Sequence, residues 1–291
     1  MNNPAPVTPR TAYALMMFTI VIWASAFAGL RYVLRQVDSM TMTALRLFIA
    51  AGFMIAVLVV MNTRVPDRED WPKLLAASLF GFSIYHYLLN VGTETITAGQ
   101  ASFVISTIPI WAALLAWRFL DERLTLKNWG GMLLAVVGVG LMSLDFSTGD
   151  TNLRIGTWFV LAAAMCAGAN IVICKDLLKR YRAIEVAAYG AIIGALPFLL
   201  HIPWTVSASA NLEISGWLVL AYLGIIPIGL GYWLSSIALA ALPANHVAQL
   251  LLLIPPVAAI IAWLTIAEAP PEMLFVGGPL ILVGVFLGRQ R

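Results

Sequence analysis

The side chains that could do chemistry in this chain sit inside long apolar runs. His86 and Asn90 lie four residues apart in one run and so share a helical face; Trp23 with Phe27, Cys166 with Asn170, and Tyr232 with Ser236 repeat that spacing in three others. Phe103 and Ser106 occupy a fifth run and Gln249 a sixth, while Tyr85 precedes His86. Imidazole, amide and hydroxyl groups left unsatisfied in hydrocarbon are costly, so these residues are expected to face a cavity or one another. A lining of aromatic faces with a few polar groups suits non-covalent binding of a small amphipathic molecule that has a flat apolar part. Ser106, Asn170 and Ser236 serve equally well as hydrogen-bonding links between helices. Trp23, Tyr85, Tyr87, Trp111 and Tyr232 lie too deep for an interfacial aromatic belt, which leaves core packing or cavity wall. No catalytic, metal-binding or cofactor-binding group is expected: His-Glu-x-x-His, Gly-x-Ser-x-Gly and phosphate-loop patterns are absent, which disfavours an intramembrane enzyme.

The elements that must position these residues follow from composition. A chain of 291 residues that is 61% hydrophobic and 11% charged, with mean hydropathy +0.91, is an all-α polytopic membrane protein whose environment is the lipid bilayer. Ten runs are long enough to span: 12–33, 39–62, 72–93, 97–119, 128–145, 155–175, 184–204, 216–238, 244–267 and 272–288. Their continuous apolarity argues against barrel strands. Arg10 and the small residues Ala24, Ser25 and Ala26 imitate a secretory signal, but hydrophobicity continues to Val33, and the first run is expected to be retained. With the N-terminus inside, 13 of the 17 basic residues fall on the cytoplasmic side, so both termini are expected there. Topology thus accounts for the basic balance, and no nucleic-acid partner is expected.

Residues 98–141 recur 146 positions later with 14 identities, among them Pro109 and Pro255, Trp117 and Trp263, Glu122 and Glu268, Gly131 and Gly277, and Gly138 and Gly284. The two units, 1–148 and 149–291, carry five spans each. An odd number forces the second to enter the membrane from the opposite side, giving two inverted five-helix repeats with a central site between them, the arrangement of alternating-access carriers. The first two spans of each unit align at an offset of about 143, which pairs Trp23 with Cys166 and Phe27 with Asn170. The last three align at 146, pairing His86 with Tyr232, Asn90 with Ser236, Phe103 with Gln249 and Gln100 with His246. Pro109 and Pro255, central in their spans, are expected to act as helix hinges or as inert kinks. The glycines of the fifth and tenth spans are expected to permit close helix packing.

The duplicated unit, with Trp23-Ala24-Ser25-Ala26-Phe27, Arg46 in the second span, the paired prolines and glutamates and the glycine-rich closing spans, resembles the drug/metabolite transporter superfamily, EamA type, over nearly its whole length. Within it the chain is similar to bacterial exporters of aromatic amino acids. The resemblance implies ten helices around a cavity in the bacterial inner membrane and export of amino acids or related metabolites. It leaves a drug or toxic-compound exporter as the alternative. No Asp or Glu lies within a span to hold a fixed cation. Arg46 is expected to snorkel to the nearer end of its span, leaving no cation at mid-depth, so neither a cationic-drug carrier nor a dedicated anion carrier is favoured. Proton coupling would rest on His86; facilitated movement is equally consistent.

Overall fold

The computed structural model describes residues 7–95, 101, 104–122, 124–143, 155–210, 212–266 and 274–289. Of the residues named above, Gln100, Phe103 and Glu268 lie outside the described residues, as does the side chain of Phe27. The chain forms ten helical segments: α1 (Pro9–Val33), α2 (Ser39–Val60), α3 (Arg68–Thr93), α4 (Ile108–Phe119), α5 (Leu126–Ser143), α6 (Ile155–Leu177), α7 (Ala183–Ser209), α8 (Ile214–Ala241), α9 (244–266) and α10 (Leu274–Arg289). Local chemistry sets several starts. Thr8 Oγ1 accepts from Thr11 N–H at 3.3 Å ahead of Pro9, Asp38 Oδ1 accepts from Thr41 N–H at 2.9 Å, and Glu185 Oε2 accepts from Arg182 N–H at 2.8 Å. Each satisfies a donor that the first turn would otherwise leave orphaned.

The two halves interlock. α1 packs against α8 and α9, and α6 packs in the same way against α3 and α4; α2 meets α7, and α5 meets α10. The first span of each half is therefore surrounded by the third and fourth spans of the other. The core clusters accordingly mix residues of both halves, as where Met16 and Ile20 join Ala112, Val172 and Val247.

The α5–α10 pair shows why its glycines are glycines. A Cβ on Gly138 would lie 2.7 Å from Gly277 O, and one on Gly284 would lie 2.5 Å from Gly131 O and 2.6 Å from Ala135 N. The contact is reciprocal at the 146-residue offset. Gly131 and Gly277 contribute carbonyls, while Gly138 and Gly284 contribute the missing side chain.

Both halves also carry a π-helical turn in the third span, at Leu79–Ser83 and Gly224–Leu230, again related by the offset of 146. Pro227 within the second turn has no N–H to continue an α-helical ladder. The prolines of the fourth spans differ from a mid-helix kink. Pro109 stands in the first turn of the helical stretch Ile108–Phe119, and Pro255 opens Ile254–Ile266 just after a single 3-10 turn at Leu251–Leu253. Each proline thus starts a helical segment at a break, where a missing N–H removes nothing.

Candidate functional site

A cluster of aromatic and polar side chains from both halves meets inside the bundle, and Tyr232 on α8 is its centre. Its ring stands edge-on to Trp23 of α1 with centroids 5.4 Å apart, lies 4.3 Å from the Phe82 ring and 6.3 Å from His86. His86 in turn stands edge-on to Tyr85 at 4.9 Å. Edge-to-face pairs of this kind contribute about 0.5–1.5 kcal/mol each beyond their buried area. Because α1 packs against α8 and Tyr232 of α8 reaches α3, residues more than 140 positions apart close one box.

The π-helical turns supply its backbone. Trp23 Nε1 donates to Pro227 O at 2.9 Å, and Asn170 Nδ2 donates to Ala77 O at 2.8 Å. In each half, then, the first span sends an N–H donor into the third span of the other half, at Pro227 within one π-turn and at Ala77 two residues before the other. Tyr232 Oη donates to Gly81 O at 3.0 Å within the first of these turns. Gly81 and Gly231 make room: a Cβ on Gly81 would overlap the Asn170 amide, and one on Gly231 would lie 2.7 Å from Trp23 Nε1. Pairing a widened turn's carbonyls with indole, amide and phenol donors leaves less unsatisfied backbone at membrane depth.

Several polar atoms remain unpaired. His86 is 8% exposed and its Nε2 has no hydrogen-bond partner; Gln249 on α9 is 2% exposed with neither amide atom partnered. Arg46, 4% exposed, departs from the snorkelling expected of it. Its helix packs against α3 and α8, its Nε lacks a partner, and among the described residues it forms no ion pair. Sequence reasoning counted its depth along α2 and missed its surroundings.

The other site residues predicted from sequence divide. Trp23, Tyr85, His86 and Tyr232 come together. Asn90 is buried but engaged, donating to Thr43 Oγ1 at 2.6 Å, while Thr43 Oγ1 donates to Ser39 O at 2.6 Å. Asn170 also reaches Cys174 Sγ at 3.4 Å, a neighbour that the sequence pattern did not single out. Cys166, one turn earlier on α6, is only partly buried. Ser106 and Ser236 are buried. Tyr87, assigned to core or cavity wall, is 38% exposed on the outer surface, because at one residue from His86 it points about 100° away on the helix. Trp111 bonds its own helix, Nε1 donating to Thr107 Oγ1 at 3.3 Å. Two clefts open on the surface, lined by Asp38, Thr41, His201 and Trp204 and by Met40, Ser83, Tyr87 and Phe198; neither reaches the cluster.

On the face that holds the start of α1, polar contacts tie the halves together. Glu122 Oε1 accepts from Ala244 N–H at 3.0 Å, and its Oε2 accepts from Asn245 N–H at 3.4 Å, capping α9. Asp121, with φ 55°, turns the chain after α4 and brings Glu122 back towards it; Asp tolerates that left-handed conformation better than most residues. Within the second half, Lys175 Nζ donates to Leu239 O and to Leu242 O, both at 2.7 Å, at the end of α8. Lys73 pairs with Asp176 at 2.6 Å, Arg180 with Asp70 at 2.8 Å, and Tyr13 Oη lies 3.2 Å from His246 Nδ1. Tyr181 Oη donates to Asp70 at 2.7 Å.

Ten helical segments in two like halves, with a polar and aromatic cluster enclosed between them, define a multi-pass membrane transporter. The model of the EamA-like transporter family matches residues 10–144 and again 154–288, and the chain belongs to that family. It is 32% identical to a probable terminal-alkyne amino-acid exporter of Streptantibioticus cattleyicolor, covering 97% of this chain and 94% of that one. It is 31% identical to the uncharacterised transporter YdfC of Bacillus subtilis, over 91% of this chain and 87% of that protein. A solved crystal structure matches with TM-score 0.77 at 20% identity over 96% of each chain, a likeness of fold.

Proposed function

We propose that this transporter exports amino acids, aromatic ones favoured, and related small metabolites across the bacterial inner membrane. The observation that carries the reading is the enclosed box of Trp23, Phe82, Tyr85, His86 and Tyr232, formed by both halves and bordered by unpartnered polar atoms. Once the halves part, such rings offer faces and edges on which a flat apolar side chain packs, and its polar groups meet the orphaned donors and acceptors. The name of the Streptantibioticus relative, a probable amino-acid exporter, supports the same class. Alternating access requires the halves to part on one face at a time, and inverted repeats supply two equivalent ways of doing so. Both termini lie in the cytoplasm on this reading, so the contacts of Glu122, Lys73 and Arg180 form the cytoplasmic closure. An unpaired Arg46 beside the box disfavours the alternative of a cationic-drug exporter.

The test is counterflow in proteoliposomes loaded with unlabelled phenylalanine or tryptophan and supplied with labelled tracer, with and without an imposed pH gradient. Protein-dependent accumulation is expected, and its response to the gradient separates proton coupling through His86 from facilitation. Folded protein that accumulates neither amino acid would remove the aromatic assignment.

A further inference from the structure

Arg46 is a buried cation inside the bundle. It sits seven residues inside α2 from Ser39, about 10 Å along the axis at about 1.5 Å per residue, and is 4% exposed. A buried cation without a counter-charge costs several kcal/mol unless something neutralises it during the working cycle. Two acids at the start of α2 are already engaged there: Asp38 accepts from Thr41 N–H, and Glu94 Oε1 accepts from Ser39 Oγ at 2.5 Å. The backbone at Arg46 is also pinned. A Cβ on Gly224 would lie 2.9 Å from Arg46 O and 2.8 Å from Ile49, so α2 lies close against the second π-turn. α2 packs against α3, which carries Tyr85 and His86, and against the second π-turn of α8, the helix that carries Tyr232, and both Arg46 Nε and His86 Nε2 lack partners.

We infer that Arg46 is the anion-binding group of this chamber and takes the carboxylate of the transported molecule, so that the substrate class is small carboxylic acids bearing a flat apolar group. The inference rests on the reading of the box as the transport site and makes it chemically narrower. Guanidinium presents its donors in a planar fork that matches a carboxylate in a bidentate pair. The aromatic walls then receive the apolar part, with His86 beside the charged end. Substrate would replace the missing counter-charge, and a ligand without a carboxylate would leave Arg46 uncompensated.

Titration calorimetry on the purified full chain tests this with four probes: L-phenylalanine, L-phenylalaninamide, phenylpyruvate and benzoate. The expected result is acid binding about 10- to 100-fold tighter than amide binding, the scale of a hydrogen bond to a charged group. Arg46→Gln should abolish that preference, and Arg46→Lys should retain part of it. Equal affinity for phenylalanine and its amide in the parent protein would overturn the inference and leave amino-acid export standing. Undiminished acid preference in Arg46→Gln would do the same. Binding of phenylpyruvate but not phenylalanine, lost in Arg46→Gln, would instead sustain the inference and remove amino-acid export. Folded parent protein that binds none of the acids overturns the role of Arg46. The acid and amide comparison in the parent protein needs no variant, so poor folding of Arg46→Gln does not block the test.

Discussion

Two alanine substitutions that look alike on paper should differ in their effect on stability. Gly130 and Gly284 both lie in helices of the α5–α10 pair, yet a Cβ on Gly130 meets nothing within 4 Å, whereas one on Gly284 falls 2.5 Å from Gly131 O and 2.6 Å from Ala135 N. The atoms it meets on α5 are backbone and cannot rotate away. Restoring ordinary contact requires the two helices to separate by roughly 1 Å, and a gap of about 0.5–1 Å already forfeits a quarter to a half of each dispersion contact it opens. Overpacking of this kind costs about 1–3 kcal/mol. Both substitutions gain about 1 kcal/mol from the better helix propensity of alanine, so propensity cancels in the comparison. Gly130→Ala should melt at or above the parent protein, and Gly284→Ala below Gly130→Ala by the equivalent of about 1–3 kcal/mol. Gly138→Ala, which meets Gly277 O at 2.7 Å, should behave as Gly284→Ala does. Thermal unfolding of the purified protein in one detergent reads the order. If Gly284→Ala melts as high as Gly130→Ala, the α5–α10 contact is looser than described here and the reasoning fails.

Trp23→Phe keeps a ring against Tyr232 but removes the donor to Pro227 O; an orphaned buried carbonyl should destabilise the protein by about 1–3 kcal/mol, seen as a lowered melting temperature, and an unchanged one would mean that the π-turn does not need the indole. His86→Ala and Tyr232→Ala should each depress counterflow of the transported amino acid without loss of folded protein, and full transport by both would remove the box from the transport path. Glu122→Ala uncaps α9, which costs about 0.5–2 kcal/mol, and takes away the carboxylate that acts on Lys175. It should loosen that face of the bundle. In a Cys166→Ser background, maleimide labelling of the buried Cys174 should then quicken several-fold; an unaltered rate would show that Glu122 does not help to hold the closure.

What the sequence made legible was periodic, and what it hid was lateral. The ten spans follow from runs of apolar residues, and the reciprocal glycine contact from an offset of 146 that repeats Gly131, Gly138, Gly277 and Gly284. His86 and Tyr232 stood out because they lie deep in those runs and correspond across the halves. The π-turns carried almost no signal, since only Pro227 marked either one, and a turn widened by one residue leaves composition unchanged. Asn90 was legible as buried but not as engaged, because its partner Thr43 sits 47 positions away on α2. Arg46 is the instructive case. Seven residues from the start of α2, depth alone suggests that a long side chain will reach water. That argument assumes a free path along the helix. Gly224 packs against the Arg46 carbonyl, and α3 and α8 pack against α2, which no count along α2 could reveal. A cation that could have reached water but is enclosed beside Tyr85, His86 and Tyr232 is retained at a cost to stability. That cost is compensated whenever an anion enters the chamber, which makes the substrate itself the missing partner of the fold.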